Sequence, residues 1–353
     1  MEAFFVDKYA QLLVDFLFTF QPESTKSKII VYLVPEECEG IETALVRAIK
    51  ASGLKAVNKK FMKEQVNDPT SYIEVVGDNV KKPLYSEELK KPQLFQKTQI
   101  LLSPYPTLER ARLAGLAYDE YVQDFISLNF LSSLHPIEAW KEKIQMVRQR
   151  LDTLNHLNIQ KIRVISESIQ FDLSLGKNRK WLGASGRNIP SFETFISPDW
   201  RTVNGTIGFN IPVNKYGLTF ENIQFTFKEG SLTSFQSSNS SFFQKILNQK
   251  NMRRVGEFSL TDKYISSIQR FLASSIFDEN MGGGFGNLHI ALGKSYLKSY
   301  DSDDASINLE QLGDLGFNDA EDHIDFVNSE PKEVFATTKN GGEFLLYKDG
   351  EFK

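Results

Sequence analysis

The chain is poor in the residues that staple or decorate many small or secreted proteins. Its 353 residues include one cysteine, Cys38, which excludes a disulfide framework and a thiolate zinc knuckle. Histidine is almost as scarce, with only His135, His156, His289 and His323. Any transition-metal site must therefore lean on carboxylates. There is no basic surplus: 41 Lys plus Arg face 45 Asp plus Glu, a net charge of -4. A protein that tracks nucleic-acid phosphates normally carries the opposite balance. Long apolar runs are missing too. The first twenty residues are rich in Phe and Leu, but Glu2, Asp7, Lys8 and Asp15 interrupt them. That leaves neither a signal-peptide core nor a spanning length, so no membrane role and a cytoplasmic location are expected. The sequons at Asn204 and Asn239 are then read as chance.

Several motifs are absent as well. Gly293-Lys294-Ser295 suggests a phosphate loop, but Leu288 stands where that loop needs its first glycine. The glycine cluster 282–286 (GGGFG) is followed by no helical pattern, so a dinucleotide fingerprint fails. Neither a His-Glu-x-x-His helix motif nor a Gly-x-Ser-x-Gly elbow occurs.

What is present reads as two domains, since roughly 150 residues make a typical one. Residues 8–20 predict a helix, 28–34 (KIIVYLV) a buried strand, 41–52 a helix ended by Gly53, and 98–103 another central strand. That alternation is the grammar of an open α/β layer. The Lys- and Pro-rich stretch of roughly 64–97 reads as irregular. Ile137, Trp140, Ile144, Val147, Leu151 and Leu154 recur at steps of three and four, which lays an apolar stripe along a helix over 137–157. Beyond a boundary near 158 the pattern changes to strands at 161–166, 171–176, 206–211, 219–227 and 231–236, with a tail hairpin around Asp349-Gly350. The fold class expected is α/β plus α+β: an N-terminal open α/β domain (1–158), then a mostly antiparallel mixed-sheet domain (159–353).

Candidate chemistry gathers in the second half. His323 and Asp325 are two apart, so on a strand they share a face. His289 follows the glycine-rich loop, and Asp278 and Glu279 close a helix just upstream. Glu257 lies inside a run that reads as a buried strand, where a carboxylate needs a cation to offset its desolvation. Glu193 lies between Pro190 and Pro198, which suggests a rigid loop. Singly, each has an ordinary structural explanation. Together, Glu193, Glu257, Glu279, His289, His323 and Asp325 would make a carboxylate-rich site for two divalent ions, Zn, Co, Mn or Mg. Arg253 and Arg254 either pair with these acids or face solvent.

Five segments in order carry a resemblance: GRNIPSFETFISPDW (186–200), RRVGEFSL (253–260), FDEN (277–280), GNLHIALGKSY (286–296) and HIDFV (323–327). They resemble the thermophilic aminopeptidase family (M29), a group of two-metal metalloaminopeptidases. The resemblance implies hydrolysis of the N-terminal residue from peptides with a free N-terminus, a pair of divalent ions and a homodimer. It implies Glu193, Glu257, His289, His323 and Asp325 as ligands, with Glu257 bridging, and Tyr296 as the donor to the oxyanion. Glu279 stays open as ligand, supporting acid or proton shuttle, and Glu257 or Glu279 as proton acceptor. Two other readings stay open on the residues: a non-catalytic metal-binding module, and a metal-dependent esterase or amidase.

Overall fold

The computed structural model describes residues 2–61, 70–77, 99–302 and 308–353. The chain folds into two compact units. The first holds Met1–Glu142, Ser185–Ser191 and Leu272–Ile276; the second holds Lys143–Ala184, Phe192–Phe271 and Phe277–Lys353. The division falls after Glu142, inside a helix, and two later pieces of chain return to the first unit.

In the first unit, α1 (Glu2–Phe20) leads to β1 (Ile29–Leu33), α2 (Glu42–Ala51), β2 (Lys55–Asn58), β3 (Thr70–Val76) and β4 (Gln99–Pro104). The strands form a parallel sheet in the order β2-β1-β3-β4. β1 (IIVYL) is buried at every position, as a central parallel strand must be. Of the stretch expected to be irregular, the part around 70–76 is instead β3, in which Ser71, Ile73 and Val75 are buried in alternation. The surrounding Lys and Pro hid a local period of two, and pairing with β1 and β4 overrides that composition. Apart from Gly77, the remainder of that stretch lies outside the described residues.

Helices α3 (Leu108–Leu113), α4 (Tyr118–Leu128) and α5 (Pro136–His156) follow. Thr107 caps α3 by accepting from the Arg110 amide. α5 buries Trp140, Ile144, Val147, Leu151 and Leu154, the stripe read from the sequence. The Trp140 ring meets Phe16 edge-on at 5.4 Å, a favoured aromatic geometry.

The second unit contains β5 (Ile159–Ser166), β6 (Ile169–Ser174), β7 (Leu182–Gly183), β8 (Glu193–Ile196) and β9 (Asn204–Phe209). Next come β10 (Val213–Lys215), β11 (Leu218–Phe220), β12 (Ile223–Lys228), β13 (Ser231–Gln236) and α6 (Ser240–Leu247). The last strands are β14 (Val255–Thr261), β15 (Asn287–Gly293), β16 (His323–Asn328), β17 (Lys332–Thr338), β18 (Glu343–Lys348) and β19 (Glu351–Phe352). An eight-stranded sheet runs β13-β12-β9-β6-β5-β17-β18-β19, and a five-stranded sheet runs β16-β15-β14-β8-β7. Both are antiparallel throughout. The single strand expected over 219–227 is broken at Asn222, whose φ of 52° turns the chain between β11 and β12. β10 was not legible: three residues are too few to show a period. In the five-stranded sheet β14 and β15 are buried at every position, so polar side chains there lie in the interior.

Candidate metal centre

The site is assembled on one face of the five-stranded sheet. Residues paired across neighbouring strands project to the same face. The register pairs Ala291 with both Glu257 and Asp325, His289 with Ser259 and Val327, Gly293 with His323, and Thr261 with Glu193. Steps of two along each strand connect these rows. Glu193 (β8), Glu257 (β14), His289 (β15), and His323 and Asp325 (β16) therefore all face one side.

A bulge decides the place of Glu257. Val255 pairs with Leu292 and Glu257 with Ala291, so Gly256 is the extra residue in β14. Without it, Glu257 would point to the opposite face with Val255. Only glycine fits there, because a Cβ on Gly256 would lie 2.5 Å from the carbonyl oxygens of Gly293 and Lys294.

Five side chains converge as two groups that share Glu257. Ligand atoms of Glu193, Glu257 and His289 lie within 4.8 Å of one another, as do those of Glu257, His323 and Asp325. His289 Nε2 is 3.2 Å from Glu193 Oε2 and 3.3 Å from Glu257 Oε1. His323 Nε2 is 3.2 Å from Asp325 Oδ1 and 3.9 Å from Glu257 Oε2.

The surroundings fit a pair of divalent cations. His289 Nδ1 faces Asn287 Oδ1 at 3.4 Å, and His323 Nδ1 faces the Lys294 carbonyl at 2.7 Å. An acceptor at each Nδ1 favours a proton there and leaves Nε2 as the nitrogen available to a metal, an arrangement typical of metal-bound histidine. Ser259 Oγ donates to Glu193 Oε2 at 3.1 Å. Glu193, Glu257 and Glu279 are all buried, and buried carboxylates need compensating positive charge.

The titration directions record that crowding. Burial raises the Glu257 pKa and the Glu193 charge adds to it, with His289 and His323 opposing. Burial opposes charge on His323, but Asp325 and Glu257 outweigh it and raise its pKa to about 9. Burial would raise Asp325, yet His323, His289 and Lys215 bring it down to about 2.

Glu279 stands beside these groups and belongs to neither. Burial, then the charges of Asp325 and Glu193, push its pKa well above the usual carboxylate range. Asn280 ties it to the site: its Oδ1 accepts from the Phe192 and Glu193 amides, and its Nδ2 donates to Glu279 Oε1 at 3.3 Å. Tyr296 lies three residues beyond β15. Its amide donates to Ser197 Oγ at 2.7 Å, and its ring packs edge-on against Phe195 at 5.3 Å.

The expected rigid loop at Glu193 is a strand instead: Glu193 opens β8, hydrogen-bonded to β14, and all four of its residues are buried. Arg254 stacks over the Trp200 ring at 3.8 Å, and Arg253 donates to the Leu232 carbonyl. His135 and His156 are exposed and belong to neither ligand group. Ser259, Asn280 and Asn287 support the site but were not singled out from the sequence. Two of them carried a usable signal, since Ser259 and Asn287 are each two residues from a candidate ligand on the same strand.

A family model described as thermophilic metalloprotease (M29) matches residues 78–352, most of the chain. The chain belongs to the M29 family. Among curated relatives, Aminopeptidase 2 of Geobacillus stearothermophilus is 26% identical over 250 residues, covering 67% of this chain and 59% of that protein. Aminopeptidase PepS of Streptococcus thermophilus is 25% identical over 231 residues, 62% of this chain and 54% of the relative. Aminopeptidase AmpS of Bacillus subtilis (strain 168) is 24% identical over 232 residues, 62% and 55% of the two chains. The match thus spans little more than half the length of these relatives. Among solved structures, wild-type AmpT from Thermus thermophilus superposes with a TM-score of 0.75 at 16% identity, covering 97% of this chain and 98% of that one. A 2,5-dihydroxypyridine dioxygenase from Pseudomonas putida KT2440 gives 0.52 at 10% identity, covering 97% and 96%. Both are likenesses of fold, and the M29 chain shares its architecture with AmpT across nearly its whole length.

Proposed function

We propose that this chain is a metal-dependent aminopeptidase that removes the N-terminal residue of peptides, with its second unit as the catalytic domain. The observation that carries the reading is the pair of ligand groups joined through Glu257, which suits two ions bridged by one carboxylate. The aminopeptidase names of the curated relatives support the substrate class.

Glu193 and His289 would hold one ion, His323 and Asp325 the other, and Glu257 both. Zn, Co, Mn or Mg held there would supply a water of lowered pKa and a Lewis acid for the scissile carbonyl. Glu279 takes the proton of the attacking water and returns it to the leaving amine as the carbon–nitrogen bond breaks. Its burial beside the cluster and outside both ligand groups supports this role over ligation, with Glu257 as the other candidate acceptor. The Tyr296 hydroxyl donates to the oxyanion where negative charge develops. A site acid would hold the substrate's N-terminal ammonium, or an ion its neutral amine, which would restrict cleavage to the N-terminus. The homodimer implied by the family resemblance is part of the proposal, and sedimentation of the purified chain checks it.

The test is hydrolysis of unblocked and N-acetylated aminoacyl-anilides by metal-stripped protein, before and after adding back Zn, Co, Mn or Mg. We expect activity only with metal and a free amine. A Glu257→Gln variant should lose at least about a hundredfold in kcat, because both ligand groups share this residue and losing even an outer partner of a ligand costs about 10–100-fold. Indifference to acetylation would turn the reading to an esterase or amidase. Two bound ions without turnover would turn it to a binding module.

A further inference from the structure

His323 and Asp325 sit on β16, the outer strand of the five-stranded sheet, which among the described residues has a paired neighbour on one side only. An edge strand is the least constrained place in a sheet, and this one carries two of the five candidate ligands. Something must hold it.

Asp322, immediately before β16, has all three of its oxygen atoms engaged. Its Oδ1 accepts from the His323 amide at 2.8 Å and from Lys215 Nζ at 3.3 Å. Its Oδ2 accepts from the Tyr216 hydroxyl. Its carbonyl accepts from the Lys294 amide at 2.8 Å, and the Lys294 carbonyl in turn faces His323 Nδ1. Lys215 Nζ also reaches the His323 carbonyl at 3.3 Å. Lys215 and Tyr216 come from the β10–β11 hairpin, whose strands, among the described residues, pair only with each other. That hairpin is itself anchored: Phe220 packs on Phe243 at 5.5 Å, Tyr216 lies near Phe242 at 6.3 Å, and Asn239 Nδ2 donates to the Thr219 carbonyl at 2.8 Å.

We propose that Asp322 and Tyr216 are positioning residues for the outer metal site, the hairpin clamping Asp322 so that His323 and Asp325 keep ligand geometry. The inference rests on the metal-centre reading above. It assigns a task to the hairpin and to an aspartate that belongs to neither ligand group. Tyr216 is 38% exposed, so its hydroxyl is not needed to fill the core.

The test is calorimetric titration of the metal-stripped full chain with Zn²⁺, for wild type, Tyr216→Phe, Asp322→Asn and the double variant. Tyr216→Phe changes no charge, so a change in affinity cannot come from altered attraction for the cation. We expect one of two Zn²⁺ equivalents to weaken about 10–100-fold, the usual effect of losing an outer partner of a metal ligand. The other equivalent and the metal-free melting temperature should hold. Because Tyr216 acts through Asp322, the double variant should be no weaker than Asp322→Asn alone. Wild-type affinity for both equivalents in Tyr216→Phe overturns the proposal. So does equal weakening of both together with a lower metal-free melting temperature, which would make the hairpin a general structural support. Fewer than two ions bound by wild type would overturn the metal-centre reading itself, and this inference with it.

Discussion

Lys332 is a lysine ammonium in the interior. It opens β17, is 2% exposed, and donates through Nζ to the Glu330 carbonyl. Burial lowers its pKa to about 7, against the partial opposition of Glu330 and Asp349. An unfolded lysine titrates near 10.4. Between about 7 and about 10.4 the unfolded chain therefore binds more protons, and stability rises with pH across that window. Below it both states are charged, and the full cost of the buried ammonium remains. At about 1.4 kcal/mol per unit, that cost is several kcal/mol. Lys332→Met should raise the melting temperature at pH 6 by several degrees and leave it nearly unchanged near pH 10.5. Thermal melts at the two pH values check this; an equal gain at both would assign the effect to packing rather than charge.

At the scale of the element, β14 and β15 set the site through two small residues. Gly256 supplies the bulge that turns Glu257 inward. Gly256→Ala places a methyl against two carbonyl oxygens, so the bulge must shift. We expect a loss of about 2 kcal/mol or more, in the range for a backbone position that only glycine tolerates, and impaired binding of both ions because Glu257 serves both groups. Denaturant melts and a Zn²⁺ titration measure the two effects. Ala291 lies between Glu257 and Asp325 across the strands and is fully buried. Its small side chain leaves room between those carboxylates. Ala291→Leu should block the outer ion at an overpacking cost of about 1–3 kcal/mol. Retention of both Zn²⁺ equivalents in that variant would show that the space beside Ala291 is not the ion's.

At the scale of the whole molecule, every candidate ligand belongs to the second unit. Ions that bind only the folded state stabilise it by mass action, about 4 kcal/mol at a thousandfold excess over Kd. Hydrogen exchange with and without Zn²⁺ should show added protection concentrated in β8, β14, β15 and β16, with little change in β1–β4. Protection spread evenly over both sheets would argue against a centre confined to the five-stranded sheet.

The linear sequence determined what depends on local pattern. The stripe of α5 has a period of 3.6, the His-x-Asp spacing of β16 a period of 2, and β1 is an unbroken apolar run; all three are patterns among near neighbours in the chain. It also supplied the six candidate site residues as short segments in order. Tertiary structure decided what depends on which strand lies beside which. Pairing made a strand of 70–76 within a Lys- and Pro-rich stretch. It placed Glu193 in a sheet rather than a loop, and set five candidate ligands on one face through the register of β16, β15, β14 and β8. The bulge at Gly256 and the clamp on Asp322 join residues about 37 and 106 positions apart, counted from Gly256 to Gly293 and from Tyr216 to Asp322. Contacts at that separation leave no period in the sequence, because they are selected by the folded register and not by neighbours along the chain.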